Sequence, residues 1–255
     1  MSVKGTSFWA ALLEHQLQNG HGRRRACRRR GDGLARAART FESLEIRALL
    51  SGVSIPAVPI PAAHWAFDEG TGTIAADTSG NGHTLTLSTG ASWTAGNVGT
   101  GALSVNGTSS GVATAVGPVV DTAGGFTVSA WVDIASLGGF QTVVSIAGTN
   151  VAGFFLQLRG DTGTFAFARL PSDATGNASI AAASSAPTAG TWYHIVGVND
   201  ATAGTLSLYV DGQLMGSTAY TSGWTATGDT LIGHGLYAGN QVDFVNGSID
   251  DVEMF

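Results

Sequence analysis

The residues whose types and spacing are suited to chemistry gather in His64-Trp-Ala-Phe-Asp-Glu-Gly-Thr-Gly-Thr-Ile-Ala-Ala-Asp-Thr-Ser-Gly-Asn-Gly-His83. Asp77, Ser79 and Asn81 alternate there with residues that tolerate left-handed φ, so side-chain oxygens and free carbonyls can converge on one point, as a hard cation requires. The same Asx/Gly pattern also describes a plain turn in an all-β protein, and spacing alone leaves both readings open. Just upstream, Trp65 and Phe67 share one face of a short strand that stops at an acidic, Gly-rich turn beginning at Asp68 and Glu69.

Other chemistries find no motif. The lone Cys27 rules out a disulfide framework and a Cys-based metal site. There is no phosphate loop, dinucleotide fingerprint or zinc spacing, and no Gly-x-Ser-x-Gly elbow. His64, His83, His194 and His234 are dispersed and read as strand or loop residues.

Charge divides the chain. Residues 1–50 hold ten of the twelve Lys and Arg against four acids, a net of +6, whereas residues 51–255 hold two basic residues against fourteen acids, a net of −12. The acidic part contains no Lys and is rich in Gly, Ala, Ser, Thr and Val, a composition for short strands and tight turns rather than helices. At about 190 residues it is long enough to bury a core without disulfides.

The elements that must position the chemistry follow a period of two. Phe126, Val128, Ala130, Val132 and Ile134 alternate with Thr127, Ser129, Trp131 and Asp133, which predicts a strand with one face in the core. Phe154–Arg159 and Thr164–Arg169 flank Gly160-Asp-Thr-Gly163 and read as a hairpin. Trp192–Val198 and Leu206–Val210 form a further pair, and Asp211-Gly212 turns the chain into Gln213-Leu-Met215. Strand signals at intervals of roughly ten to twenty residues are those of a sandwich.

Several of these pieces carry a resemblance. Trp-x-Phe-Asp-Glu-Gly followed by Asp-x-Ser-Gly-Asn-Gly, then in order Ala102–Gly107, Phe126–Val132, Thr191–Val196, Leu208–Leu214 and Gly247–Val252, resembles a laminin-G-like, concanavalin A-type domain of bacterial surface proteins. The resemblance implies an all-β, two-sheet antiparallel jelly-roll sandwich over residues 64–255. It also implies that the first and last strands lie side by side, so that Asp68 approaches Asp250 and Asp251 while the loop Asp77–His83 closes over them. Asp68, Asp77, Asn81, Asp250 and Asp251 are therefore the expected ligands of a structural calcium ion.

In such folds ligands are held by rim loops where aromatics stack on sugar rings, which makes Trp224, Tyr237 and Asn240 the candidate ligand-binding residues. Sandwich glycosidases of this type carry paired carboxylates as Glu-x-Asp-x-Glu. The domain's two Glu residues, Glu69 and Glu253, match no such motif, so no catalytic residue is expected. Fold alone names no function, and a glycosidase or a structural spacer in a surface array are the alternatives.

Residues 1–63 are expected to form a mostly disordered basic tail. Phe8–Leu13 is six apolar residues, short of the roughly 7–15 of a secretory signal core and of a membrane span. The run Arg23–Arg30 lacks the interleaved aromatics of a nucleic-acid site. Phe41–Gly52 resembles the LEPR-XLL motif near the N-termini of large bacterial surface proteins, with Ile46 in place of the Pro, and residues 53–63 read as a Pro-rich spacer. The expectation is a non-catalytic recognition or adhesion module, monomeric within a larger secreted or surface protein and exported by a non-classical signal. Its partner is an extracellular glycan or surface glycoprotein. The terminal stretch Asp250–Phe255 resembles the last strand of such a domain, which fits a piece of a longer chain.

Overall fold

The computed structural model describes residues 59–255; the basic run, the LEPR-XLL-like segment and residues 53–58 of the spacer lie outside the described residues. Two eight-stranded sheets face one another. The first runs β14 (Gln213–Ala219), β13 (Thr205–Val210), β12 (Trp192–Asp200), β7 (Phe126–Ile134), β18 (Asn246–Met254), β5 (Ala102–Asn106) and β4 (Ser92–Thr94), with β1 (Ala63–Trp65) paired on β18. The second runs β11 (Ser179–Ala182), β10 (Phe165–Arg169), β9 (Ala152–Leu158), β8 (Gln141–Ala147), β15 (Thr230–Ile232), β6 (Ala113–Ala115), β3 (Leu85–Leu87) and β2 (Ile74–Ala75). A small ribbon, β16 (Gly235–Tyr237) with β17 (Asn240–Val242), completes the set, and every pairing is antiparallel. This is the all-β sandwich that the period-two pattern predicts.

Alternation decides which side chains meet. Phe126, Val128, Ala130, Val132 and Ile134 all point into the core, where Phe126, Phe154 and Phe167 form a triangle with centroid separations of 5.1, 6.0 and 5.8 Å. Such aromatic clusters add to the burial term that drives folding. β12 reaches this triangle only because position 197 is Gly: a Cβ there would collide with the Phe167 ring. The expected hairpins are present. β9 and β10 are joined across Gly163, whose N–H donates to the Arg159 carbonyl, and β13 turns into β14 through Asp211 and Gly212, both at positive φ (48° and 76°), the geometry of a type I′ turn.

The first and last strands do lie side by side, with Trp65 opposite Val252 and His64 opposite Glu253. Trp65 and Phe67 are both fully buried, and the Trp65 indole N–H donates to the His83 carbonyl at 2.6 Å. That bond ties the return of the Asx/Gly loop to the edge of the core.

One cation is interior. Arg169 is fully buried, its Nε and Nη2 donating to the carbonyls of Gly153 (2.8 Å) and Thr122 (2.6 Å), with its guanidinium 4.6 Å from the Tyr220 ring centroid. Burial depresses its basicity, opposed by the Tyr220 and Asp121 side chains. Truncating it strands two carbonyls and opens a cavity, so Arg169→Ala is expected to cost about 3–5 kcal/mol.

Residues 57–255 form one compact unit by their own contacts. A chain starting at Ala57 is therefore expected to melt where the full chain melts. A drop beyond about 4 °C, on the order of 1–2 kcal/mol for a domain of this size, would show that the preceding residues hold it together.

Candidate functional site on the outer face of the first sheet

The face of the first sheet turned away from the core is read directly from register. On β7 it carries Thr127, Ser129, Trp131 and Asp133; opposite them on β12 stand Val198, Val196, His194 and Trp192. On the other flank, β18 sets Ser248 against Asp133, Asp250 against Trp131 and Glu253 against Ser129, and β1 sets His64 against Glu253. Ser104 of β5 pairs with Ser248. The result is a lane of aromatic and polar side chains with Val196 and Val198 across five strands, in which Asp250 is fully buried beneath loop 96–101.

At its centre Trp131 and His194 form a ring pair, centroids 5.2 Å apart and tilted by 36°. His194 is held by its backbone: its N–H donates to the Asp211 carboxylate (2.9 Å) and its carbonyl accepts from the Asp211 N–H (2.8 Å). The turn that reverses β13 into β14 thus also positions the aromatic pair. Burial lowers the His194 pKa, opposed by the charges of Asp251 and Asp211, so the imidazole is neutral at pH 7.

Beside this pair, β18 is irregular. Its register shifts between Asp250 and Glu253, and Asp251 adopts a left-handed backbone (φ 47°). A bulge of this kind re-aims a side chain, and non-Gly residues held left-handed concentrate at functional sites. Asp251 Oδ1 lies 2.7 Å from His64 Nε2, while Thr78 Oγ1 lies 2.8 Å from His64 Nδ1. Nε2 therefore carries a proton that it donates to the carboxylate, while the Thr78 hydroxyl at Nδ1 also donates to the His64 carbonyl at 3.1 Å. Burial raises the Glu253 carboxyl pKa, with His64 lowering it and Asp251 raising it further. At the other end of the lane is a pocket of about 280 Å³ lined by Ser104, Asp133, Gly190, Asn246 and Ser248 among others. A flat aromatic surface ringed by hydroxyls, amides and carboxylates suits a ligand with apolar ring faces and many hydroxyls.

The residues expected to hold calcium are divided between two places. Asp68 Oδ1 accepts from the Gly101 N–H (2.8 Å), the Thr100 N–H and the Thr100 hydroxyl, and Asp250 Oδ2 accepts from the N–H groups of Asn97 (2.8 Å) and Val98 (2.9 Å). Both carboxylates therefore hold the loop 96–101, which comes so close that a Cβ on Gly99 would strike the Asp68 carboxylate. Asp77 instead accepts from His64 N–H (3.0 Å), Ser79 N–H (2.9 Å) and His83 N–H (2.9 Å), and Asp251 meets the His64 ring. Asn81 turns its Nδ2 to the carbonyls of Pro61 and Ala62. Among the described residues no three His, Cys, Asp or Glu side chains form a metal-holding group. Asp68, Asp77 and Asp250 each accept from two or more backbone N–H groups.

The expected ligand-binding residues lie on two segments, the loop 221–225 and the small ribbon. Trp224 is half-buried, packed against both hydrophobic clusters with its indole N–H donating to the Leu170 carbonyl at 3.0 Å, because loop 221–225 folds back over the sandwich. Tyr237, 38% exposed, and Asn240 pair across the small ribbon, and Asn240 Nδ2 bonds the Ala238 carbonyl. Glu69 accepts from the Ala76 N–H (2.7 Å). Sequence reasoning passed over Trp131, His194, His64 and Glu253 as a group. One signal was available: Trp131 is the aromatic on the otherwise Thr/Ser/Asp face of an alternating strand.

This geometry is a two-sheet jelly-roll sandwich with a furnished outer sheet face. The chain belongs to the Laminin_G_3 family of the concanavalin A-like lectin/glucanases superfamily, whose model matches residues 106–255. No curated protein matches it in sequence. Among solved structures it is similar to the binding domain of botulinum neurotoxin serotype G (16% identity, TM-score 0.58, 76% of this chain and 47% of that one). It is similar also to domain 4 of AbnA, a GH43 extracellular arabinanase from Geobacillus stearothermophilus, in complex with arabinotriose (19%, 0.52, 76% and 91%). A third is Trypanosoma rangeli sialidase in complex with sialic acid (16%, 0.53, 81% and 34%). The chain thus spans about half of the toxin domain and a third of the sialidase, and at these identities the likeness is one of fold.

Two outcomes follow from the carboxylate partners. Burial would raise the Asp77 carboxyl, but the Ser79 hydroxyl and the amides of His64, His83 and Ser79 outweigh it and hold it down to about 2. A depressed carboxyl adds stability above its ordinary value of 3.8 that is lost as pH falls toward about 2. Asp77→Asn should therefore flatten the acid limb of the stability curve between about pH 4 and pH 2; an unchanged limb would assign it elsewhere. Because amides already serve Asp68, Asp77 and Asp250, melting is expected to be the same in chelator and in millimolar calcium. A calcium-dependent rise that Asp250→Ala abolishes would place a cation here.

Proposed function

We propose that this domain is a non-catalytic recognition module that binds a carbohydrate chain across the outer face of its first sheet, within a secreted or surface-displayed protein. The carrying observation is the Trp131–His194 pair on a face that sets Ser, Thr, Asp and Glu beside Trp192, Val196 and Val198, next to a bulge that re-aims Asp251. Aromatic faces stack on the apolar faces of sugar rings, and the surrounding acceptors and hydroxyls suit sugar hydroxyls. Support from outside the chain is of the same kind, since its fold neighbours include a toxin binding domain and a domain in complex with arabinotriose. The family assignment supports an extracellular setting. Among the described residues no helix is long and apolar enough to cross a membrane.

A hydrolytic reading rests on one observation, the raised carboxyl of Glu253, which is what a general acid needs. It lacks a free partner, because Asp251 is engaged by His64. We therefore expect no polysaccharide turnover by the parent; turnover that vanished in Glu253→Gln would make the protein an enzyme.

Binding is tested on a glycan array. Hits are expected, and Trp131→Ala should weaken the strongest at least tenfold, about 1.4 kcal/mol, with the melting temperature little changed because the ring lies outside the core. Full binding by Trp131→Ala would remove this face from the reading.

A further inference from the structure

Resting on that reading, we infer that the outer sheet face takes neutral or amine-bearing saccharides and rejects those carrying carboxylate or sulfate groups. Anionic sugars are gripped in proteins chiefly by guanidinium and ammonium groups, whose fixed charge and paired donors replace the lost water. Residues 59–255 contain no Lys and two Arg. Arg159 is spent on Asp161, with Nε 2.9 Å from Oδ1 and Nη2 on the second oxygen, at the end of the β9–β10 hairpin in the other sheet. Arg169 is fully buried and bonded to two carbonyls. Neither reaches the lane.

The lane itself carries more carboxylates than groups able to be cationic. Asp133 stands at its pocket end, Asp251 and Glu253 at its other end, and Asp211 behind His194. Its two imidazoles add no free cation: His64 is engaged at both ring nitrogens, and His194 is neutral beside Trp131. An incoming carboxylate or sulfate would shed water against hydroxyls and like charges, a desolvation that nothing on this face repays. A protonated amine meets the reverse situation, with acceptors and negative potential on the same surface. Selection of this kind is a difference of affinities built largely from a repulsive element.

The test uses the full chain on an array holding neutral, amine-bearing and anionic glycans, followed by calorimetry of the best neutral hit against its carboxylated or sulfated analogue. Residues 1–50 carry a net charge of +6 and will capture anions non-specifically, so every anionic signal is repeated with Trp131→Ala. Hits on the face, meaning those lost in Trp131→Ala, are expected among neutral and amine-bearing glycans. The anionic analogue should bind at least tenfold more weakly at low salt, with the gap narrowing as salt rises. Glu253→Gln should reduce the preference for an amine-bearing glycan over its N-acetylated form several-fold. An anionic glycan that binds as tightly as its neutral counterpart and is lost in Trp131→Ala overturns the inference while leaving carbohydrate binding in place. Failure of all three classes to bind overturns the proposed function, and the inference with it.

Discussion

The fold depends on one recurring interaction, an Asp carboxylate accepting hydrogen bonds from the backbone N–H groups of a loop. The acidic part of the chain has fourteen carboxylates and two guanidiniums, so salt bridges cannot be the general solution. Asp173 holds the amides of Thr149, Asn150 and Val151, Asp200 those of Thr202 and Ala203, and Asp229 that of Gly117, alongside the roles of Asp68, Asp77 and Asp250. Charge-assisted bonds to amides are stronger than neutral ones and satisfy donors that a loop would otherwise leave bare. The glycines belong to the same device, because loop backbone can approach a carboxylate this closely only where no Cβ intervenes.

That economy has a consequence for recognition. With most Asp side chains spent on loops, Asp133, Asp251 and Glu253 are set apart as carboxylates that strands place, each half-buried on the outer face of the first sheet. β18 matters most there: it lies between β7 and β5, receives β1, and carries the bulge. His64 and Asp251 are 187 positions apart, yet the pairing of β1 with β18 brings them within a hydrogen bond. The same pairing places the Asx/Gly loop, through Thr78, against that ring. The Asx/Gly loop is a clamp on the domain's N-terminal edge, with Asp77 at its hub.

Much of the architecture could be read in advance, because two of its causes are local. Alternation in Phe126–Ile134 and turn chemistry in Asp211-Gly212 depend on near neighbours, and the first strand, the hairpins and the sandwich follow from them. The quoted segments from Trp65 to Val252 are strands of this sandwich or the turns between them. The candidate site was far less legible. Trp131 and His194 were both visible, each inside a segment singled out for its strand pattern, but nothing in either segment says that they are cross-strand neighbours. Trp224 sits among Thr, Ser and Gly, and only the folded loop shows that the ring is half-buried with its indole on the Leu170 carbonyl.

The sequence by itself determined that the domain is acidic, disulfide-free and β-stranded, and which face of each long strand is apolar, since composition and period are properties of the chain. Tertiary structure alone decided the partners of the acids and the membership of the outer face. Register between strands far apart in sequence, and one left-handed residue in β18, place the side chains, and neither leaves a trace in local spacing. The physical reason is that an Asp carboxylate serves equally well as a loop cap, a metal ligand or a ligand contact, and only the groups folded against it select among these.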